Sequence, residues 1–198
     1  MRLIRVAALL IMAAALALAV DPAQSLPVLR PSPEFKIRLV DGSQISLSSF
    51  RGKVVALLFV FTTCPHCQHA SEVFTRLSAE YGSRGFQPLD VAFNTMANLY
   101  VRDFIKDHGV SYPVGFDTPE NVLGYLGYSI MDRYVVPQIV WIDRKGNIRA
   151  QTPPMGNDDK MYQESYWRSM IETLTKEPMS TAAPKTTTHR TASAKKAP

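Results

Sequence analysis

Cys64-Pro65-His66-Cys67 sets two thiols three positions apart, close enough to share one helical turn and close a disulfide between themselves. A bridge between cysteines so near in sequence encloses almost no loop and adds little stability. That favours redox chemistry over a structural crosslink. Pro65 suits the first position of a helix, where its missing N–H costs nothing. Cys64 would then face unpaired backbone N–H groups and the positive end of the helix dipole, which stabilise a thiolate. In this arrangement Cys64 attacks a disulfide, or is itself attacked, and Cys67 resolves the mixed disulfide from one turn further in. His66 adds positive potential beside the sulfur when protonated. His69 reads as a surface residue of the same helix.

Other chemistry for the pair fares less well. Haem attachment needs His directly after the second cysteine, and Gln68 stands there. A metal site could recruit Cys64, Cys67 and either His66 or His69, which falls short of the four ligands of a structural zinc site. Neither a metal nor another cofactor is expected.

The elements that must position the pair are legible around it. Val54 to Phe61 is an unbroken apolar run of strand length, as expected of a strand covered on both faces. After the motif, Ala70, Val73, Phe74, Leu77 and Tyr81 recur at steps of three and four, one apolar helix stripe ending near Gly82. Upstream, Phe35 to Leu39 and Gln44 to Leu47 alternate around Asp41-Gly42, a hairpin. Downstream, Phe86 to Phe93 reads as a strand, Val101 to His108 as a helix, Tyr112 to Phe116 as a short edge strand, and Val122 to Tyr128 as a helical turn or two. Pro137 opens a strand from Gln138 to Ile142, Asp143 to Gly146 turns the chain, and Asn147 to Gln151 pairs back. Tyr166, Trp167, Met170, Ile171 and Leu174 mark a last helix. Strands alternating with helices imply an α/β domain.

The ends are of another character. Residues 1–19 carry Arg2 and Arg5 before an apolar run and close on Ala17-Leu18-Ala19, the pattern of a secretory signal peptide. The run from Val6 to Val20 is shorter than the roughly 20 residues a spanning helix needs, although an uncleaved anchor stays open. An exported, periplasmic or extracytoplasmic protein is expected. Residues 20–33 hold four prolines and read as an extended linker. Residues 34–177 form the domain, and residues 178–198 a basic tail with too little to bury to fold. Of the 22 basic residues six lie in the first five and last 21 positions, leaving 16 against all 17 acidic ones. The domain is near neutral, so no nucleic-acid partner is expected. Membrane contact is expected only through the signal or the tail.

These parts together resemble a thioredoxin fold. A strand leads into a helix opened by the cysteine pair, and the chain finishes on a β-β-α unit preceded by a proline. More closely, Phe35 to Gly42, Leu47 to Lys53, Val54 to Cys67 and Val136 to Gly146 resemble the extracytoplasmic thioredoxin-like proteins of the TlpA and ResA type, within the wider redoxins. The resemblance implies a central mixed β-sheet flanked by helices, with an N-terminal β-hairpin and a central insertion around Asn94 to Tyr128. It implies a thiol-disulfide oxidoreductase whose partners are protein thiols and disulfides and an upstream redox protein, acting as a monomer. It makes Pro137 a cis proline facing the cysteines, with the backbone of Val136 free to pair with an extended substrate segment.

The sequence also departs from that pattern. The family's usual Trp before the first cysteine is Thr63. Positions where relatives keep a buried acid hold Leu58 and Ala70, so Cys67 is expected to lack a local carboxylate. Cys-Pro-His-Cys with Val before the proline resembles the DsbA-like oxidases instead, which leaves the direction of electron flow open. A peroxidase needs Thr or Ser three residues before its cysteine and Pro seven before. Phe61 and Leu57 stand there for Cys64, and Cys64 and Val60 for Cys67. A copper carrier of the Sco type needs wider cysteine spacing and a His near the proline segment, and neither is present.

Overall fold

Seven consecutive apolar residues with no polar face require cover on both sides, and the fold supplies it. The computed structural model describes residue 26 and residues 28–178. In chain order these form β1 (Arg30–Pro31), β2 (Lys36–Leu39), β3 (Gln44–Ser46), β4 (Val54–Val60), α1 (Pro65–Tyr81), β5 (Phe86–Ala92), α2 (Ala97–Asp107), β6 (Val114–Phe116), α3 (Pro119–Leu126), β7 (Gln138–Ile142), β8 (Asn147–Gln151) and α4 (Glu164–Lys176). The segment read as a signal and nearly all of the tail lie outside the described residues. No described helix is long and apolar enough to cross a membrane.

The strands make one mixed sheet in the order β1-β8-β7-β4-β5-β6-β2-β3. β4 lies near its middle, parallel to β5 and antiparallel to β7. Its residues alternate between two apolar layers. Val54, Ala56, Leu58 and Val60 pack under α1, α2 and α4 with Phe74, Trp141 and Trp167. Val55, Leu57 and Phe59 pack on the opposite face with Phe35, Tyr125 and Ile148. Phe74 stacks on Trp167 at 4.7 Å between ring centroids, which ties α1 to α4. The expected α/β architecture, hairpin and central insertion are all present.

Two expectations need correction. The short strand after Tyr112 is not an edge. β6 is held between β5 and β2, with Gly115 opposite Leu39. The hairpin pairs onto its outer side because Gly115 has no side chain to stand in the way. The second concerns the linker, where order was expected to begin at Phe35. Arg30–Pro31 already pairs with β8, and Leu29 N–H and Ser32 N–H donate to Ile148 O and Gly146 O, each at 2.9 Å. Pro31 is tolerated there because an edge strand leaves its missing donor pointing outward. Backbone pairing of this kind leaves no hydrophobic period to read.

The insertion contributes α2, β6 and α3. α3 begins earlier than its apolar residues suggest, since Thr118 caps it by accepting from Asn121 N–H at 3.3 Å and Pro119 takes its first position.

Candidate active site

Cys64 is the N-cap of α1, in extended conformation, and Pro65 fills the first turn. The approach from β4 is fixed by side chains distant in sequence. Thr62 N–H donates to Asn94 Oδ1 at 2.9 Å, and Gln68 Nε2 donates to Thr62 O at 2.9 Å. Cys64 N–H donates to Phe61 O at 3.1 Å. The half-buried Cys64 is held by this turn.

Opposite lies the turn into β7. The Val136–Pro137 peptide is cis, and Cys64 Sγ donates to Val136 O at 3.9 Å. The Val136 carbonyl thus lies beside Cys64, and the cis Pro137 follows it at the head of β7. Gln138, the first residue of β7 and fully buried, pins this turn from behind. Its Nε2 donates to Val135 O at 2.8 Å, and its Oε1 accepts from Thr152 Oγ1 at 2.9 Å and Tyr128 OH at 3.0 Å. The sequence held a trace of this role: one amide at the head of a strand otherwise apolar.

Cys67 sits on the inner side of α1 with 0 % exposure. Burial pushes its thiol up; a backbone contact at Phe61 offsets part of this, while Cys64, which hydrogen-bonds to it, and the charge of Asp90 push it up further. The accessible thiol is thus Cys64, and Cys67 waits behind it. His66 and His69 are both exposed on the first turns of α1. They border a groove of about 380 Å³ that runs beside the pair to Val136, Pro137, Met155 and Tyr162. Among the described residues no group of three or more His, Cys, Asp or Glu side chains could hold a metal ion.

The expectation that Cys67 has no local carboxylate is wrong. Asp90, on β5, is 0 % exposed and stands directly across from Leu58 in the parallel β4–β5 ladder. Partners in such a ladder project to the same face, so the carboxyl enters the layer under α1. There Ser71 Oγ donates to Asp90 Oδ2 at 2.6 Å and Tyr112 OH donates to Oδ1 at 3.1 Å. Burial pushes the Asp90 carboxyl up to about 7, with the Ser71 and Tyr112 hydrogen bonds drawing it part-way back. A buried acid thus stands across from position 58, on the next strand. Its signal was a lone charge within Phe86 to Phe93, but its partners lie on other elements.

Residues 28–164 match the redoxin family. The chain is 23% identical over 141 residues to the thiol-disulfide oxidoreductase ResA of Bacillus thuringiensis, spanning 71% of this chain and 77% of that protein. It is 29% identical over 114 residues to ResA of Halalkalibacterium halodurans, spanning 58% and 61%. Among solved structures, a thiol:disulfide interchange protein of the thioredoxin family from Chlorobium tepidum superimposes with a TM-score of 0.61 at 26% identity, covering 74% of this chain and 96% of that one. With its match running from before the first strand to the start of the last helix, the chain belongs to the redoxin family and is a thiol-disulfide oxidoreductase with the thioredoxin fold.

Proposed function

We propose that Cys64 and Cys67 exchange disulfides with exported proteins, Cys64 being the attacking sulfur. The observation that carries this is the pairing of a reachable Cys64 at a helix N-terminus with a fully buried Cys67 in the next turn. In the reducing direction the Cys64 thiolate attacks one sulfur of a substrate disulfide. That bond breaks, one substrate sulfur leaves as a thiolate, and the other is held on Cys64. Cys67 then gives up its proton and attacks Cys64 Sγ, forming the Cys64–Cys67 bond and releasing the second substrate thiolate. The substrate gains two electrons and the protein loses two. Oxidation of a substrate runs the same steps backwards, and the partner's potential sets the direction.

Val136 supports substrate recognition, since an extended segment laid along it can pair with the backbone as an added strand beside Cys64. His66, when protonated, adds positive potential at the first turn. The signal-like residues 1–19 support export, and a site complete within one chain supports action as a monomer.

The test uses a synthetic peptide closed by a single disulfide. Cys67→Ser retains the first step and cannot complete the second, so mass spectrometry detects a stable adduct on Cys64 that dithiothreitol releases. Cys64→Ser forms none. An adduct mapped to Cys67, or none with either variant, overturns the assignment.

A further inference from the structure

The resolving step leaves a proton to be placed, and α1 and β5 hold a group with no other evident task. Asp90 is a buried carboxyl, and among the described residues no basic side chain stands against it. From α1 it meets Ser71 and feels Cys67; from the segment before β6 it meets Tyr112; β4 offers only the apolar Leu58. Glu72 of α1 and His108, just past the end of α2, pair with each other at 2.9 Å in a partly exposed position. A carboxyl kept solely for structure would be paired with a cation or exchanged for an amide, because an unpaired buried charge is costly.

Ser71 gives the arrangement its direction. Its hydroxyl has one proton and two acceptors, Asp90 Oδ2 at 2.6 Å and the carbonyl oxygen of Cys67 at 3.0 Å. When Asp90 is ionised the hydroxyl proton goes to the carboxylate. When Asp90 is protonated it can donate to Ser71 Oγ, and the hydroxyl turns to the Cys67 carbonyl. The protonation of Asp90 is thereby reported to the backbone of the resolving cysteine.

We infer that Asp90 is the proton acceptor for Cys67, and that Ser71 is the positioning residue that holds its carboxylate toward the first turns of α1. In the resolving step the proton leaves Cys67 Sγ and is taken up on Asp90. The Cys67 thiolate attacks Cys64 Sγ, and the substrate sulfur departs as a thiolate that is protonated by solvent. In the reverse direction Asp90 returns the proton to Cys67. The two groups share one proton across the reaction, as expected where two negative charges would otherwise lie together in a buried layer. This rests on the exchange reading above.

The experiment mixes reduced protein with glutathione disulfide and follows the two successive releases of glutathione. The first reports attack by Cys64 and the second resolution by Cys67. In the unaltered protein the second rate rises with pH to an inflection near 7, where the Asp90 carboxylate forms. Asp90→Asn keeps the first rate, slows the second by about 10²-fold at pH 7, the scale of a lost general base, and erases the inflection. Ser71→Ala keeps a working base but removes a hydrogen bond that favours its ionised form, so the inflection moves to higher pH. A purely structural role for Ser71 would change melting without moving it, and this arm stands even if Asp90→Asn folds poorly. Unchanged second rates and pH profiles in both variants overturn the inference. Loss of the first release in the unaltered protein would instead overturn the exchange reading itself.

Discussion

Asp90→Asn makes the protein more stable than the native chain at neutral pH and above, by an amount that builds up between about pH 4 and pH 7 and is constant beyond. The sign follows from where the proton is held. An unfolded chain releases it near the ordinary value of 3.8, whereas the folded protein keeps it until about 7. Between those values the native state binds more protons, so native stability falls as pH rises through the window and levels off above it. At 1.36 kcal/mol per pKa unit, the loss is about 4 kcal/mol from pH 3 to pH 8. Asn cannot ionise, and its amide can still accept from Tyr112 and donate to Ser71. Its stability lacks this component. Urea denaturation of both proteins at matched pH isolates the difference. Asp41, held low by Ser43, and Glu80, held low by Arg168, lose stability as pH falls, but they do so equally in both proteins. Parallel curves across the window would show that Asp90 is already ionised in the acid range, and would remove the cost of the buried charge from the account.

Gly115→Ala tests the junction that joins the N-terminal hairpin to the rest of the sheet. A Cβ there would fall 2.3 Å from Ile37 Cγ2 and 2.4 Å from the backbone oxygen of Arg38. Side-chain adjustment can relieve the first contact but not the second, since Arg38 O belongs to the strand paired with β6. Strand separation must increase, and the expected loss is about 3 kcal/mol, the upper part of the range for overpacking. Denaturant melts measure it directly. Gly124→Ala is the control, because a Cβ on that glycine, inside α3, meets nothing within 4 Å. Equal stability of the Gly115→Ala protein would mean that the hairpin is only loosely paired to β6.

The parts of the fold that announced themselves were those whose pattern is local. The apolar run of β4, the stripe along α1 and the Pro137 strand with its hairpin each carry their own period, and the structure places them within a residue or two of expectation. The Cys64–Cys67 pair was equally plain, because its chemistry depends on spacing within one turn. What escaped notice depends on partners distant in the chain. Nothing around Arg30 says that Ile148 will lie beside it, and nothing in Val114–Phe116 says that a hairpin far upstream will cover its outer side. The clearest case is Asp90. Leu58 and Ala70 are positions along one strand and one helix, whereas the fold places the acid at the facing position of the next strand. Gln138 is similar, since its part in holding Val135 comes from Tyr128 and Thr152 on separate segments.

Equilibration of the protein with glutathione buffers of graded potential, with the thiols counted by mass after alkylation, tests the central claim most directly. Cys64 and Cys67 should pass together from dithiol to an internal disulfide in a single two-electron transition, a tenfold change in their ratio for each 29.6 mV or so. Contradiction would be glutathione accumulating on one cysteine while the other stays free, with no bond forming between Cys64 and Cys67 at any potential.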